Sequence, residues 1–240
     1  MPHLSIIIPT LNEAEGITHL LNSLLPLRQR GHEIIVADGG SQDGTVALAR
    51  PLADWVIEAP RGRAAQMNAG AMLATGEMLL FLHADTQLPD RADEMILEQL
   101  SHGHTDLHQH TTALVWGRFD VRIAGTHPLL NVIAWFMNHR SRWTCIATGD
   151  QAIFVCRDGF QAVGGFSDIP LMEDIVLSTK LKASSAPICF KTPVTTSGRR
   201  WEQHGVCSTL LKMWRLRLAF FLGADPSRLA KAYGYAPREQ

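Results

Sequence analysis

The sequence has 240 residues, a formal net charge of -1 and 46% hydrophobic residues, so it is long enough for one large domain with a sizeable core. Because the charge is balanced and the basic residues form no long stripe, we expect no nucleic-acid partner. The N-terminus lacks the pattern of a signal peptide, and no apolar run is long enough to span a bilayer. The four cysteines lack the spacing of a zinc site. These features predict a cytoplasmic protein with reduced thiols.

The first half of the chain alternates short apolar runs with helical patterns, which predicts a mostly parallel sheet with crossover helices. The predicted strands are "LSIIIP" (4–9), "EIIVAD" (33–38), "DWVIEA" (54–59) and "EMLLFLHAD" (77–85). Helices are predicted over 12–25, from Thr45 and over 63–74. In the first of them, Asn12 and Glu15 have the spacing of a helix cap and its partner.

Polar residues follow the ends of these predicted strands. Open α/β sheets bind ligands just outside the carboxyl ends of their strands. We therefore expect one rim to bring together Asn12, Glu13, Asp38, His83 and Asp85.

The second half gives weaker signals, which predict strands over 113–123 and 151–156 and helices over 129–138 and 173–182. A tract with His102, His104, His108 and His110 follows a helical pattern, and we interpret it as a loop rather than a metal site.

Five blocks of this sequence resemble, in the same order, those of family 2 glycosyltransferases: "SIIIPTLNE", "IIVADGGSQDGT", "GRAAQMNAGA", "FLHAD" and "EDIVLSTKL". They span residues 4–182, and the forms "ADGGS", "HAD" and "GDQ" are similar to those of the small bacterial subgroup of selenodomain-associated transferases. The resemblance implies an α/β GT-A fold, a Rossmann-like three-layer sandwich with a mostly parallel central sheet. It implies a single domain over 1–240, with a nucleotide-binding half (1–110), an acceptor half (111–205) and a C-terminal helical extension (206–240).

The "HAD" block, His83-Ala84-Asp85, stands where the family has a D-x-D motif. The resemblance implies that Asp85 binds Mn²⁺ or Mg²⁺, which would neutralise the diphosphate leaving group. His83 replaces the first acid, and an imidazole either suits Mn²⁺ better than Mg²⁺ or hydrogen-bonds the ribose or a phosphate. The alternative is that Asp85 caps a following helix.

The resemblance assigns nucleotide binding to residues of the first four blocks: Pro9, Thr10, Asn12, Glu13, Asp38, Arg63, His83 and Ala84. Asp38 matches the first acid of the family's D-D-G-S turn, whereas Gly39 occupies the second position. Asp38 could instead form only an Asx turn, Asn12 and Glu13 could only start a helix, and Arg63 could be one of a solvated pair with Arg61.

In the acceptor half, the resemblance makes Asp174 the general base and Glu173 the residue that orients it or contacts the acceptor. Acids in the first turn of a helix are the alternative, because they favour its dipole. Asp150 and Gln151 lie in "TGDQ", which resembles a loop beside the acceptor site. "SGRRW" resembles the end of a Q-x-x-R-W motif, with Ser197 in place of Gln. The resemblance implies that Arg200 and Trp201 contact the diphosphate or the sugar.

The sequence thus favours an inverting, metal-dependent glycosyltransferase that uses a nucleotide-sugar donor and an acceptor hydroxyl. A non-catalytic sugar-nucleotide-binding protein is the alternative; a sugar nucleotidyltransferase is disfavoured because no glycine-rich loop follows the first strand. Residues 210–223 mix aromatic side chains with Lys212, Arg215 and Arg217, which is typical of either an interfacial helix or a helix packed on the domain. In the first case the protein would lie peripherally at the inner face of the membrane and a lipid-linked acceptor would be favoured.

Overall fold

A computed structural model describes residues 3–103 and 114–235 of the chain, with the side chains of 101–103 excepted. The strands are β1 Leu4–Thr10, β2 Glu33–Asp38, β3 Trp55–Glu58, β4 Met78–Phe81, β5 Thr86–Gln87, β6 Trp116–Ala124, β7 Ile153–Cys156 and β8 Ile188–Ser197. The helices are α1 Ala14–Gln29, α2 Thr45–Ala49, α3 Arg63–Leu73, α4 Ala92–Gly103, α5 Leu129–Thr144, α6 Arg157–Ala162, α7 Glu173–Lys182, α8 Arg199–His204, α9 Val206–Phe221 and α10 Pro226–Tyr233. A single 3-10 turn, Gly149–Gln151, precedes β7.

The described strands form one sheet in the order β3-β2-β1-β4-β7-β6-β8-β5. The first four strands in this order are parallel. β7 is antiparallel to both β4 and β6, β8 is parallel to β6, and β5 is antiparallel to β8. This confirms the predicted α/β fold with a mostly parallel sheet.

The central strands are buried on both faces, as their continuous apolar runs predict. Along β1, Ile6 and Ile8 pack in one core cluster together with side chains of α1 and α5. Ile7 points to the other face, where it packs with residues of α3 and α7 such as Met67 and Leu177. Helices therefore cover both faces of the sheet, in three layers.

Several local predictions were wrong. β4 ends at Phe81 rather than at residue 85, because the chain turns at His83, whose carbonyl accepts from the amide of Thr86. The predicted Asn12 cap does not form, since Asn12 has a positive φ of 56° and Glu13 holds the cap position without a side-chain bond.

β8 was not predicted. Many of its side chains are polar and only partly buried. Its pairing with β6 shifts register just before Pro193, which forms a bulge where the missing amide donor of proline is tolerated. His104, His108 and His110 lie outside the described residues. Within those that are described, no helix is both long and apolar enough to cross a membrane.

Candidate active site

Asp38 ends β2 and organises the loop that follows it. Its side chain is only 1% exposed. One carboxylate oxygen accepts from the hydroxyls of Thr10 (3.0 Å) and Ser41 (2.5 Å), and the other accepts from the amides of Gly40 (2.9 Å) and Ser41 (2.7 Å). These four hydrogen bonds favour the Asx-turn interpretation, in which the buried Asp38 side chain fixes the conformation of the loop.

Asn12 and Glu13 connect the loop after β1 to the loop after β2. The Asn12 side chain accepts from the amide of Gln42 at 2.9 Å, and the amide of Glu13 donates to the hydroxyl of Thr45 at 2.8 Å. The Glu13 side chain remains 30% exposed. Burial and the nearby carboxylate of Asp85 raise its pKa. Glu13 and Asp85 are thus close enough for their charges to interact.

Gln66 was missed by the sequence analysis. This α3 side chain is buried, and its amide group donates to the carbonyls of Thr10 (2.7 Å) and Ala37 (2.8 Å) at the ends of β1 and β2. A Cβ on Gly39 would lie 3.0 Å from Gln66. Gln66 therefore occupies the space that a side chain at position 39 would need, and this explains the glycine there.

The His83-Ala84-Asp85 segment forms a turn between β4 and β5. Asp85 is exposed, and its carboxylate accepts one long bond, from the Thr86 hydroxyl at 3.4 Å. Ala84 is buried, and Nδ1 of His83 lies 3.3 Å from Oδ1 of Asp150. The alternative role of Asp85 as a helix cap is wrong, because β5 follows it directly and α4 begins only at Ala92.

The donor set around Asp85 fits a metal that is held mainly by its substrate. The described residues contain no cluster of three or more His, Cys, Asp or Glu side chains able to enclose an ion. Mg²⁺ and similar ions are commonly bound by one or two carboxylates, several waters and substrate phosphates. The exposed carboxylate of Asp85, with Glu13 beside it, suits that mode of binding.

The "TGDQ" segment connects His83 to Asp174. The amide of Gly149 donates to Oδ2 of Asp174 at 2.9 Å. The His83 ring packs on Gly149 so closely that a Cβ there would lie 2.4 Å from it. Gln151 is fully buried and closes a capping box with Thr148, so it holds the turn instead of facing an acceptor.

The two acids at the start of α7 have different surroundings. Met172, the residue before them, has a φ of 70°, an uncommon value for a non-glycine residue that is often found at functional sites. Glu173 is buried, and burial together with the neighbouring Asp174 raises its pKa. Asp174 is half-buried, and its other oxygen accepts from the amide of Ile175 at 2.7 Å.

A cleft of about 80 Å³ lies beside these acids and is lined by Arg63, Pro170, Leu171, Arg200, Tyr233, Gly234 and Tyr235. Arg63 is exposed. Desolvation by its neighbours lowers the pKa of its guanidinium, but the carboxylates of Glu173 and Asp150 have the larger combined effect and raise it. The guanidinium of Arg200 lies 3.8 Å from the centre of the Tyr233 ring. Trp201 is 8% exposed and belongs to the core, so it does not line this cleft.

The family model described as glycosyl transferase family 2 matches residues 5–144. The chain belongs to glycosyl transferase family 2.

The chain is similar to proteins that carry glycosyltransferase names. It is 34% identical to glycosyltransferase AglE of Haloferax volcanii over a match of 94 residues. This match covers 35% of the present chain and 31% of AglE. A PGL/p-HBAD biosynthesis glycosyltransferase of Mycobacterium tuberculosis is 39% identical over 94 residues, which covers 36% of this chain and 37% of that protein. The chain thus spans about a third of the length of these relatives.

Solved structures share the fold. The structure of S. aureus TarS 1-349 in complex with UDP has a TM-score of 0.62 and 17% identity, with 81% of this chain and 60% of that one covered. Mannosyltransferase PcManGT from Pyrobaculum calidifontis, in complex with GDP-Man and Mn²⁺, has a TM-score of 0.60 and 23% identity, with 99% and 66% covered. Both support the GT-A architecture for this family 2 member.

The predicted residues divide into a group near the cleft and a group buried in the scaffold. Arg63 and Arg200 line the cleft. The charges of Asp150 and Asp174 act on Arg63, and the charge of Asp85 acts on Glu13. The predicted residues that are buried are Pro9, Thr10, Asp38, Ala84, Gln151, Glu173 and Trp201. Tyr233 was not predicted, because nothing in the local sequence of α10 shows that this helix returns to the cleft.

Proposed function

We propose that this chain transfers a sugar from a nucleotide-sugar donor to an acceptor hydroxyl, with inversion and with Mn²⁺ or Mg²⁺ bound by Asp85. One observation carries the proposal. The Gly149–Gln151 turn contacts both His83, two residues from the candidate metal ligand, and the candidate base Asp174. A donor bound at Asp85 would therefore lie next to a carboxylate that can accept a proton. The structures of TarS with UDP and of PcManGT with GDP-Man and Mn²⁺ support a nucleotide-sugar donor for this fold.

In this mechanism Asp174 accepts the proton of the acceptor hydroxyl while the hydroxyl oxygen attacks the anomeric carbon from the face opposite the leaving group. The bond from the amide of Gly149 fixes the orientation of the Asp174 carboxylate. The metal, when bound, neutralises negative charge on the diphosphate. Arg63 and Arg200 line one cleft and would bind the phosphate oxygens of the donor's diphosphate.

The donor half positions the nucleoside through its loops. Asp38 and Gln66 hold the ends of β1 and β2 in place, and Asn12 joins the loops that follow them. Glu13, with a partly exposed carboxylate that interacts with Asp85, is the residue of the first block best placed to contact the nucleoside or the metal's water shell. Glu173 is buried beside Asp174 and would orient it or contact the acceptor.

The finer assignments extend this proposal. We place the chain in the selenodomain-associated subgroup on its "ADGGS", "HAD" and "GDQ" forms, and we treat 1–240 as one domain whose halves meet at the cleft. Residues 210–223 would contact a membrane peripherally, which favours a lipid-linked acceptor. A non-catalytic nucleotide-binding protein would need the donor half alone, whereas here Asp174 is joined to that half by Gly149.

Calorimetric titration of UDP, GDP, dTDP and CDP, with and without Mn²⁺, tests the donor site. We expect one nucleotide to bind in a metal-dependent manner, and Asp85→Asn to weaken that binding at least tenfold because the substitution removes a charged metal ligand. Asp90→Asn is the matched control, since Asp90 is an exposed acid five residues further along. Failure of all four nucleotides to bind would contradict the proposal. Binding without nucleotide-sugar turnover in the presence of candidate acceptors would favour the binding-only alternative.

A further inference from the structure

Helix α5 exposes a stripe of large apolar side chains. Trp135, Phe136 and Trp143 are 52%, 59% and 83% exposed, and Leu129 and Val132 extend the stripe toward the start of the helix. Their spacing of three, four and seven residues places them on one helical face. The opposite face packs in the core through residues such as Leu130 and Ile133. The exposed stripe is therefore additional to the face that stabilises the fold.

Helix α9 repeats this arrangement. Leu211, Trp214, Leu218, Phe221 and Leu222 are each between 62% and 79% exposed. They lie at positions i, i+3, i+7, i+10 and i+11, which again form one face. The buried side of the helix packs on the domain through Val206 and Leu216. Both sequence interpretations of 210–223 are thus compatible with the structure, because the helix packs on the domain and also exposes an apolar stripe.

These two stripes, which we call the α5–α9 face, contain most of the large hydrophobic side chains that are exposed in the described part of the chain. They contribute ten of the 14 exposed large hydrophobic side chains among the described residues. Single exposed apolar residues need no explanation, but a concentration of this kind marks an interaction surface. Exposed tryptophans are typical of the boundary between lipid and water.

The charge of the α5–α9 face is one-sided. α5 contains Arg140 and Arg142, and α9 contains Lys212, Arg215 and Arg217, but neither helix has an Asp or Glu, although the whole chain has 23 acidic and 22 basic residues. Arg142 is paired with Asp120. Arg140 and Arg217 are partly buried, and the ammonium of Lys212 donates to the carbonyl of Tyr233 at 3.2 Å. Arg215 is exposed beside the α9 stripe, and because neither stripe carries an acid, the surface complements an anionic one. A symmetric contact with a second copy would instead bring like charges together.

The α5–α9 face adjoins the candidate acceptor site. The inner sides of α5 and α9 pack in the same core cluster, through Ile133 of α5 and Val206 of α9 among others. Burial lowers the pKa of Arg140 to about 10, and the charge of Arg217 from α9 contributes to this shift. The carboxylate of Asp174 acts on both arginines in the opposite direction. Asn138 of α5 also accepts from the side chain of Gln151, at 3.4 Å. A surface bound at this face would thus lie beside the candidate base.

We propose that the α5–α9 face docks on an anionic lipid bilayer and so brings the candidate base to an acceptor carried by a lipid. The aromatic and leucine side chains insert at the level of the headgroups, and the flanking cations contact lipid phosphates. The inference deepens the proposed function and rests on it for the acceptor, whereas the docking itself can be tested without any nucleotide.

Cosedimentation of the full chain with lipid vesicles tests the docking. We expect binding to vesicles of phosphatidylcholine and phosphatidylglycerol in equal parts, and much weaker binding to phosphatidylcholine alone. The double substitution Trp135→Ser/Trp214→Ser should reduce the partition coefficient at least tenfold, and Arg215→Gln about fivefold. The matched control is Leu48→Ser/Met72→Ser, which removes two exposed apolar side chains outside the face and should bind as the wild type does.

Circular dichroism would verify that each variant is folded, and the nucleotide titration in the absence of vesicles would verify the donor site. Loss of vesicle binding with normal nucleotide binding in Trp135→Ser/Trp214→Ser supports the inference. If the wild type does not bind anionic vesicles, the inference is wrong, and the nucleotide titration still decides the proposed function by itself. A wild-type dimer in light scattering that the double substitution dissociates, without vesicle binding, would identify a second copy as the occupant and overturn the bilayer.

Discussion

Gly149→Ala tests whether the position of the His83 ring matters to the candidate site. The new Cβ would lie 2.4 Å from both Cε1 and Nε2 of His83. Nonbonded carbon atoms come no closer than about 3.5 Å without repulsion, so the ring must retreat by about 1 Å. Such a shift would break the contact of 3.3 Å between Nδ1 of His83 and Asp150.

The cost of this overlap can be separated from other effects. Overpacking of this kind typically costs about 1 to 3 kcal/mol, which we expect as the loss in free energy of unfolding measured with urea. In a His83→Ala background the ring is absent, so Gly149→Ala should cost much less there. Gly16→Ala is the control, because its Cβ would have its nearest neighbour, the carbonyl of Ala84, at 4.0 Å.

Calorimetry then connects the geometry to the proposed function. If His83 positions the diphosphate or the metal, its displacement should weaken metal-dependent nucleotide binding about tenfold, as changes just outside a metal site commonly do. Equal costs of Gly149→Ala in the wild type and in His83→Ala would refute the clash. Unchanged nucleotide affinity in a destabilised Gly149→Ala protein would refute a role for the His83 ring in the donor site.

Three further substitutions probe the acids. Asp174→Asn should retain nucleotide binding but reduce transfer by about 10²- to 10⁴-fold, measured as release of nucleoside diphosphate from the donor. Burial and the charge of Asp174 raise the pKa of Glu173, so the folded protein loses stability as the pH rises above about 4.3, the pKa of a glutamate in the unfolded chain. Glu173→Gln should therefore raise the melting temperature at neutral pH but not in acid. Burial alone would raise the pKa of Asp93, but hydrogen bonds from Arg30 and His32 have the larger effect and lower it. Asp93 therefore stabilises the fold above about pH 3.9 and loses this effect as the pH falls; Asp93→Asn should cost about 3 kcal/mol at neutral pH in urea unfolding, with the difference vanishing in acid.

The fold of the first half of the chain could be predicted because its signals are local. Each strand of this half is an apolar run such as 33–38, and each run is followed by a turn with Gly, Asn or Asp. In a parallel sheet the carboxyl ends of such strands meet at one edge, so the proximity of Glu13 to Asp85 follows from the strand order. The sequence could not show which of these side chains are buried and hydrogen-bonded and which are exposed. Asp38 and Asp85 are both acids that follow strands, yet the first is buried with four hydrogen bonds and the second is exposed with one.

The second half depends on contacts between residues far apart in the chain. β8 pairs with β6 and β5 despite its polar sequence, because tertiary pairing decides its conformation and not its own hydrophobic pattern. Tyr233 reaches Arg200 only because α10 folds back over α9. The exposed stripe of α5 was hidden for a related reason. In helix 129–144 large apolar residues occur around the whole circumference of the first two turns, so the sequence does not show which face the core will cover.

The two departures from the family pattern bear on the choice between a transferase and a binding-only protein. Gly39, in place of an acid, is matched by Gln66, which fills the vacated space and bonds the ends of two strands. His83, in place of the other acid, is matched by Gly149, which alone leaves room for the ring. In each case the substituted residue is part of a packed contact, and the second contact leads through the amide of Gly149 to Asp174. A protein that only held a nucleotide would not need its donor loop coupled to a carboxylate on α7, so this coupling favours catalysis.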